Sequence, residues 1–381
     1  MKILMVAIPN HHFFQWVNQL KESGNEVYWF DISDGGNSVD RINWVHQIKG
    51  WKLKYDYPLR HFIKNKFPRI YNKIQKHNEN KVATVFANVV NEIQPDVVHC
   101  FVMSLAGLPI LGVMNQNPNL KFIYSSWGSD VYFYKQMGVH EYQFKQFLQR
   151  VDYLLTDCNR DYEIVKQNGF KNIFLGAYIG NGGLTIESEY IQAENNRNIL
   201  MIKGYEDGVG MALKVIDAIE LVPLALIKNL KIIIYSADNE VKERIENSAY
   251  FTALNVTIYI RGKFISNPDL LKLMGKSVIH VANSTSDGLP TSAVEAMGMG
   301  AFPIQSNPGK VSEEVIEHGI NGYLIENPFD SGEIANWIKI ALGNKELRVN
   351  AQKQNVDFVN KNFNREKLKP KIEQLYKSVL N

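Results

Sequence analysis

Asp287 and Glu295 stand eight positions apart on either side of the turn Gly288-Leu289-Pro290-Thr291-Ser292. The apolar run 277–282 predicts a buried strand, and 292–297 predicts a helix. The turn between them then presents backbone N–H groups at the amino end of a helix, where an anion such as phosphate binds. Glu295 falls one turn inside the helix and Asp287 at the mouth of the turn. One carboxylate is placed to grip a ribose and the other a sugar. An ordinary strand-turn-helix of an α/β domain with no ligand is the alternative.

The segment Asp287-Gly-Leu-Pro-Thr-Ser-Ala-Val-Glu295-Ala-Met-Gly-Met-Gly300-Ala-Phe-Pro303 resembles the Glu-x7-Glu motif of the family four nucleotide-sugar glycosyltransferases. The run from Glu313 through Gly322 to Leu324 is similar to a second motif of that family, in the same order. Two departures stand out, Asp287 in place of the first Glu and the loss of one turn glycine. The resemblance implies a retaining transferase of the GT-B architecture, two Rossmann-like doubly wound domains facing across a cleft. It implies attack from the front face of the sugar, with the departing phosphate helping to accept the acceptor's proton. Asp287 then orients and stabilises charge, while Glu295 and residues 288–292 hold the donor.

The elements that must position these residues run along the whole chain. Its 381 residues exceed the roughly 250–300 at which one core stops growing. Charged residues at 21% and hydrophobic ones at 45% are ordinary for a globular protein, which argues against disorder. Apolar runs at 2–8, 26–30, 94–101, 120–125 and 151–156 alternate with helical stretches, and a second series starts at 198 and continues through 230–235, 256–260, 278–282 and 301–305. Such alternation predicts two doubly wound parallel sheets. Residues 1–185 form the expected first, acceptor-binding domain and 196–360 the nucleotide-sugar domain, with the polar segment 186–197 crossing between them. In the GT-B architecture the last helix returns to the first domain, and 361–381 is the candidate.

The resemblance extends to weaker positions. Lys203, before Gly204, follows the first strand of the second series, where a cation would neutralise the donor diphosphate as it leaves; a surface lysine is the bland reading. Arg261 and Lys263 are candidates for the family's second cation. Trp127-Gly-Ser-Asp130 resembles the family's His-Gly-x-Asp segment near donor sugar and acceptor. An indole cannot relay a proton, so Trp127 packs on a sugar or donates one hydrogen bond. Asp130 either joins the catalytic set or caps the following helix. His11 and His12 sit where the family has a glycine-rich turn and are candidates for acceptor contact, against the ordinary reading of solvated loop histidines.

No Asp-x-Asp pair, paired His or Cys cluster has metal-ligand spacing, so the expected enzyme is metal-independent and needs no cofactor beyond its nucleotide-sugar substrate, with a UDP-sugar as the expected donor. Cys100 and Cys158 read as reduced, buried thiols. No apolar run approaches the ~20 residues that span a bilayer, and a cytoplasmic location is expected. The net charge is only +3, yet residues 49–81 carry ten Lys and Arg against Asp56 and Glu79, interleaved with aromatics. Such a stretch suits an anionic membrane surface and a lipid-linked or other glycan acceptor, with a solvated basic face as the alternative. No nucleic-acid fold signature accompanies it. Two other function classes stay open: a two-domain binding protein without chemistry, and a related sugar phosphorylase or epimerase.

Overall fold

The structure is a computed structural model describing residues 1–263 and 265–380. The first unit holds seven strands: β1 (Lys2–Ala7), β2 (Glu26–Asp31), β3 (His46–Ile48), β4 (Val97–Phe101), β5 (Lys121–Ser125), β6 (Tyr153–Thr156) and β7 (Ile173–Ala177). The second holds β8 (Ile199–Lys203), β9 (Lys231–Ala237), β10 (Asn255–Ile260), β11 (Ser277–Ala282), β12 (Phe302–Ser306) and β13 (Tyr323–Ile325). Both sheets are parallel, ordered β3-β2-β1-β4-β5-β6-β7 and β10-β9-β8-β11-β12-β13. Their central strands read as unbroken apolar runs because helices cover both faces: β4 and β11 are buried at every position. In each sheet the winding reverses direction beside the first strand, between β1 and β4 and between β8 and β11. Open parallel sheets bind ligands beyond the carboxyl ends of the strands at such a point.

The chain passes from the first unit to the second at Gly182–Gly183, and the first unit resumes at Lys369. Segment 186–197 therefore packs with the second unit instead of crossing between domains. Ile186, Tyr190 and Ile191 lie against an apolar cluster of that unit, and the buried Arg197 donates to the carbonyls of Gln192, Ser277 and Met299. Its polar composition suggested a linker, but its few apolar residues are the ones that dock.

The last helix, Arg365–Leu380, gives its residues from Lys369 onward to the first unit. There the buried Tyr376 hydroxyl accepts from Trp16 Nε1 at 2.9 Å and meets His99 Nδ1 at 2.7 Å, while His99 Nε2 meets Ser125 Oγ at 2.7 Å. Burial pushes the His99 imidazole down to about 3, so it is neutral and binds as a polar strut.

Candidate functional site

Lys203 ends β8, and the loop after β11 carries Asp287 and the 288–292 turn, so both reach the point where the second sheet's winding reverses. Gly204 is required beside Lys203: a Cβ there would lie 2.6 Å from Ala237 Cα, because the chain leaving β8 presses on the end of β9. Lys203 Nζ sits 4.8 Å from the centroid of the Tyr205 ring and forms no ion pair among the described residues. Its charge acts on Asp287, Glu295 and His280. A cation held against an aromatic face without a carboxylate partner remains available to an anion.

The helix Thr291–Gly298 starts without a side-chain cap, since its N-cap residue is Pro290. The amides of Ala293 and Val294 bond to the Pro290 carbonyl, at 2.9 and 3.0 Å. Pro290 also leaves no competing side-chain acceptor at the helix start, where the dipole and the leading N–H groups favour negative charge. Asp287 and Glu295 flank this start. Burial raises the Asp287 carboxyl above the usual range, opposed by the charge of Lys203. Glu295 is pushed up to about 7, chiefly by burial, with the Asn267 amide 3.3 Å away and the charges of Lys203 and Arg365 working against the rise. Two carboxyls raised by burial thus lie with a lysine that has no ion pair and a helix start that has no side-chain cap, a combination that marks candidate functional sites.

Beneath the turn lies a polar pair that sequence reasoning missed. The buried Tyr235 hydroxyl is 2.9 Å from His280 Nε2, and burial with the nearby Lys203 charge holds that imidazole down near 3. A histidine inside the otherwise apolar 277–282 run was the available signal. Asn267 and Arg365 carried none, because their relation to Glu295 exists only in the folded chain.

The two candidate second cations are placed differently. Arg261 Nη1 pairs with Asp207 at 2.9 Å and with Asp238 at 3.2 Å, and its guanidinium stacks 4.1 Å from the Tyr205 centroid. Lys263 lies in an exposed turn and lines a groove along edge strand β10 with Lys242 and Phe251. The structure thus groups Lys203, Asp287, Glu295 and residues 288–292, ties Arg261 to two acids beside them, and sets Lys263 along the sheet edge. None of Lys203, Asp287, Glu295, Arg261 and Lys263 belongs to a cluster with metal-ligand geometry among the described residues.

In the first unit, His11 and His12 open the helix His11–Asn18 directly after β1, and Asn10 caps it by accepting from His12 N at 2.7 Å. The His12 ring lies 5.9 Å from that of Trp127, which packs on Phe101 and against Gly180. His11, His12 and Trp127 therefore form one patch at the carboxyl end of the sheet. Asp130 is 2% exposed and accepts from Met103 N, Trp127 N and the Tyr124 hydroxyl at 2.8, 2.8 and 2.6 Å. Burial raises its carboxyl, and these donors oppose the rise. Asp130 lies inside the short helix Ser129–Tyr132, one residue beyond its first, so its bonds staple the Trp127 loop inward.

The model of glycosyl transferases group 1 matches residues 188–357, and that of the glycosyl transferase 4-like domain matches residues 2–158. No curated protein matches the chain in sequence. Among solved structures, it is similar to Anabaena HepE in complex with UDP and glucose, at 14% identity and TM-score 0.71, covering 99% of this chain and 100% of that one. It is similar to sucrose-phosphate synthase of Thermosynechococcus elongatus at 14% identity and TM-score 0.73, over 100% and 99% of the two chains. A glycosyltransferase of Rickettsia africae is 18% identical, with TM-score 0.67 over 100% and 98%. With two transferase domain models matched in order and the same two-sheet fold in these structures, the chain belongs to the GT-B glycosyltransferases.

Proposed function

We propose that the chain is a retaining, metal-independent glycosyltransferase that moves a sugar from a UDP-sugar to a glycan or lipid-linked acceptor in polysaccharide synthesis. The observation that carries this reading is the set at the second sheet's reversal point: an uncapped helix start, an unpaired Lys203 and two carboxyls. The helix N–H groups and Lys203 take the diphosphate, and their combined positive charge does the work a metal does elsewhere. Glu295 accepts hydrogen bonds from the ribose hydroxyls. Asp287 faces the sugar, where positive charge develops at the anomeric carbon. The bond from that carbon to the phosphate oxygen breaks, the acceptor oxygen bonds to the same face, and the acceptor proton passes to the departing phosphate. The UDP complexes of HepE support uracil as the base.

The first unit takes the acceptor. His12 and Trp127 offer it a polar and an aromatic surface, and Asp130 keeps the Trp127 loop in place. Arg261 and Lys263 have lesser parts: the first organises Tyr205 beside Lys203, and the second adds positive charge at the sheet edge.

An anionic membrane surface is the proposed place of work. Lys49 and Trp51 do not contribute to it, since Lys49 pairs with the buried Asp31 at 2.9 Å and Trp51 stacks on Phe30 in the core. The helices Arg60–Lys66 and Pro68–Asn78 and the preceding loop instead expose Tyr55, Leu59, Phe62, Phe67, Ile70 and Ile74 among Lys64, Lys66, Arg69 and Lys73. Apolar side chains interleaved with cations suit a headgroup layer, at about 1 kcal/mol per cation. No helix among the described residues is long and apolar enough to cross a membrane, so contact would be peripheral.

The test is release of UDP from UDP-sugars, screened first by thermal shift, when glycan or lipid-linked acceptors are added. Binding without acceptor-dependent UDP release would favour a binding protein; release that needs inorganic phosphate would favour a phosphorylase.

A further inference from the structure

Arg41 follows β2 in the 3-10 turn Asp40–Ile42, which packs on the helix that follows β1. Asn18 of that helix donates to the Arg41 carbonyl at 3.4 Å and accepts from Trp44 Nε1 at 2.9 Å, tying turn and helix together. The Arg41 guanidinium lies 4.2 Å from the centroid of the Phe14 ring, and its Nη1 is 3.3 Å from His11 Nδ1. Arginine is only a donor, so Nδ1 must accept and the His11 proton rests on Nε2. No carboxylate pairs with Arg41 among the described residues. Its neighbours in space are an aromatic face and an imidazole, and neither balances its charge.

An arginine held in place by an aromatic ring loses little freedom on binding, and its planar fork matches an oxyanion with two parallel hydrogen bonds. The rings of His11 and His12 are 6.4 Å apart and those of His12 and Trp127 5.9 Å, so Arg41 ends a continuous run that leads to the Trp127 indole. A neutral sugar would use the aromatic end of this run and leave the guanidinium idle.

We infer that Arg41, with His11 beside it, is a subsite for an oxyanion carried by the acceptor, a phosphate or a carboxylate on a sugar. This rests on the reading above that the first unit takes the acceptor. It makes the acceptor anionic, as lipid-linked sugar phosphates and uronate-containing glycans both are.

The test uses the full chain with Lys203→Gln as a common background, which silences the anion site of the second unit. Glucose 6-phosphate, glucuronate and glucose are the probes, and binding is read by saturation-transfer NMR and calorimetry. The expected result is that at least one charged probe binds at least tenfold more tightly than glucose. Adding Arg41→Gln should abolish that preference, and Arg41→Lys should keep part of it. The phosphate and carboxylate arms tell the two sources apart. Equal binding of all three probes, or a preference that survives Arg41→Gln, overturns the inference. Binding of UDP-glucose to the chain with Lys203 intact and Arg41→Gln should equal wild type. A wild type that fails to bind UDP-glucose undermines the proposed function without touching the probe result.

Discussion

Glu295→Gln separates two effects of one carboxyl that have opposite dependence on pH. In the unliganded protein the carboxyl is pushed from 4.5 up to about 7, mainly by burial. One pKa unit corresponds to about 1.4 kcal/mol, so holding the group ionised costs on the order of 3 kcal/mol. The folded value lies above the unfolded one, so the favourable contribution is complete below about 4.5 and is lost as pH rises through about 7. Glutamine keeps the shape and never ionises. The variant should therefore gain melting temperature relative to wild type between pH 5 and 8.5, by several degrees for a unit of this size. Donor binding runs the other way, because the ionised carboxylate is the better acceptor for ribose hydroxyls, by roughly 1.5–3 kcal/mol. Wild-type affinity for UDP-glucose should fall toward tenfold per pH unit below 7, while the variant binds weakly at every pH. UDP-glucose suits the calorimetry since its diphosphate has no proton to exchange in that range. Melting curves of the two proteins that stay parallel from pH 5 to 8.5 would refute the burial argument. A pH-independent wild-type affinity would remove the carboxylate from the donor site.

Asp287→Asn retains the turn and loses the charge, so turnover should fall about 10²-fold with little change in donor dissociation constant, measured by steady-state kinetics beside calorimetry. Loss of rate through weaker donor binding alone would make Asp287 a turn residue. Reversing Lys64, Lys66 and Arg69 to Glu should abolish sedimentation with anionic vesicles, and UDP release with a short soluble acceptor should persist; equal pelleting of both proteins speaks against the membrane surface. Gly300→Ala places a Cβ 2.5 Å from Arg197 Nη2 at a residue with φ of 79°. It should destabilise the second unit by about 2–4 kcal/mol in denaturant melts, and an unchanged midpoint would show that Arg197 moves aside at no cost.

The strand-turn-helix that carries Asp287 and Glu295 was legible in the sequence alone, and with it the alternation of strands and helices. Both are local signals. A run such as Ser277–Ala282 is apolar because its strand is covered on both faces, and the Asp287-to-Glu295 spacing is set by one turn and one helix start. The short strands β3 and β13, three residues each, carry too little pattern to be read. Nor did polarity alone reveal that 186–197 packs on the second unit, since three apolar side chains scattered through it decide the docking. Within 49–81, Lys49 and Trp51 look like their neighbours in sequence, yet Asp31 and Phe30, some twenty residues back, draw them into the core. The chemical character of the site was decided at the same level. Burial under remote segments pushes the Glu295 carboxyl up to about 7, while Asn267, Lys203 and Arg365, each distant along the chain, hold the rise in check. Arg261 meets two acids that only strand order brings together, whereas Lys203 meets none. Periodicity and turn chemistry are written residue by residue, but desolvation and charge pairing depend on which remote segments the sheets place side by side.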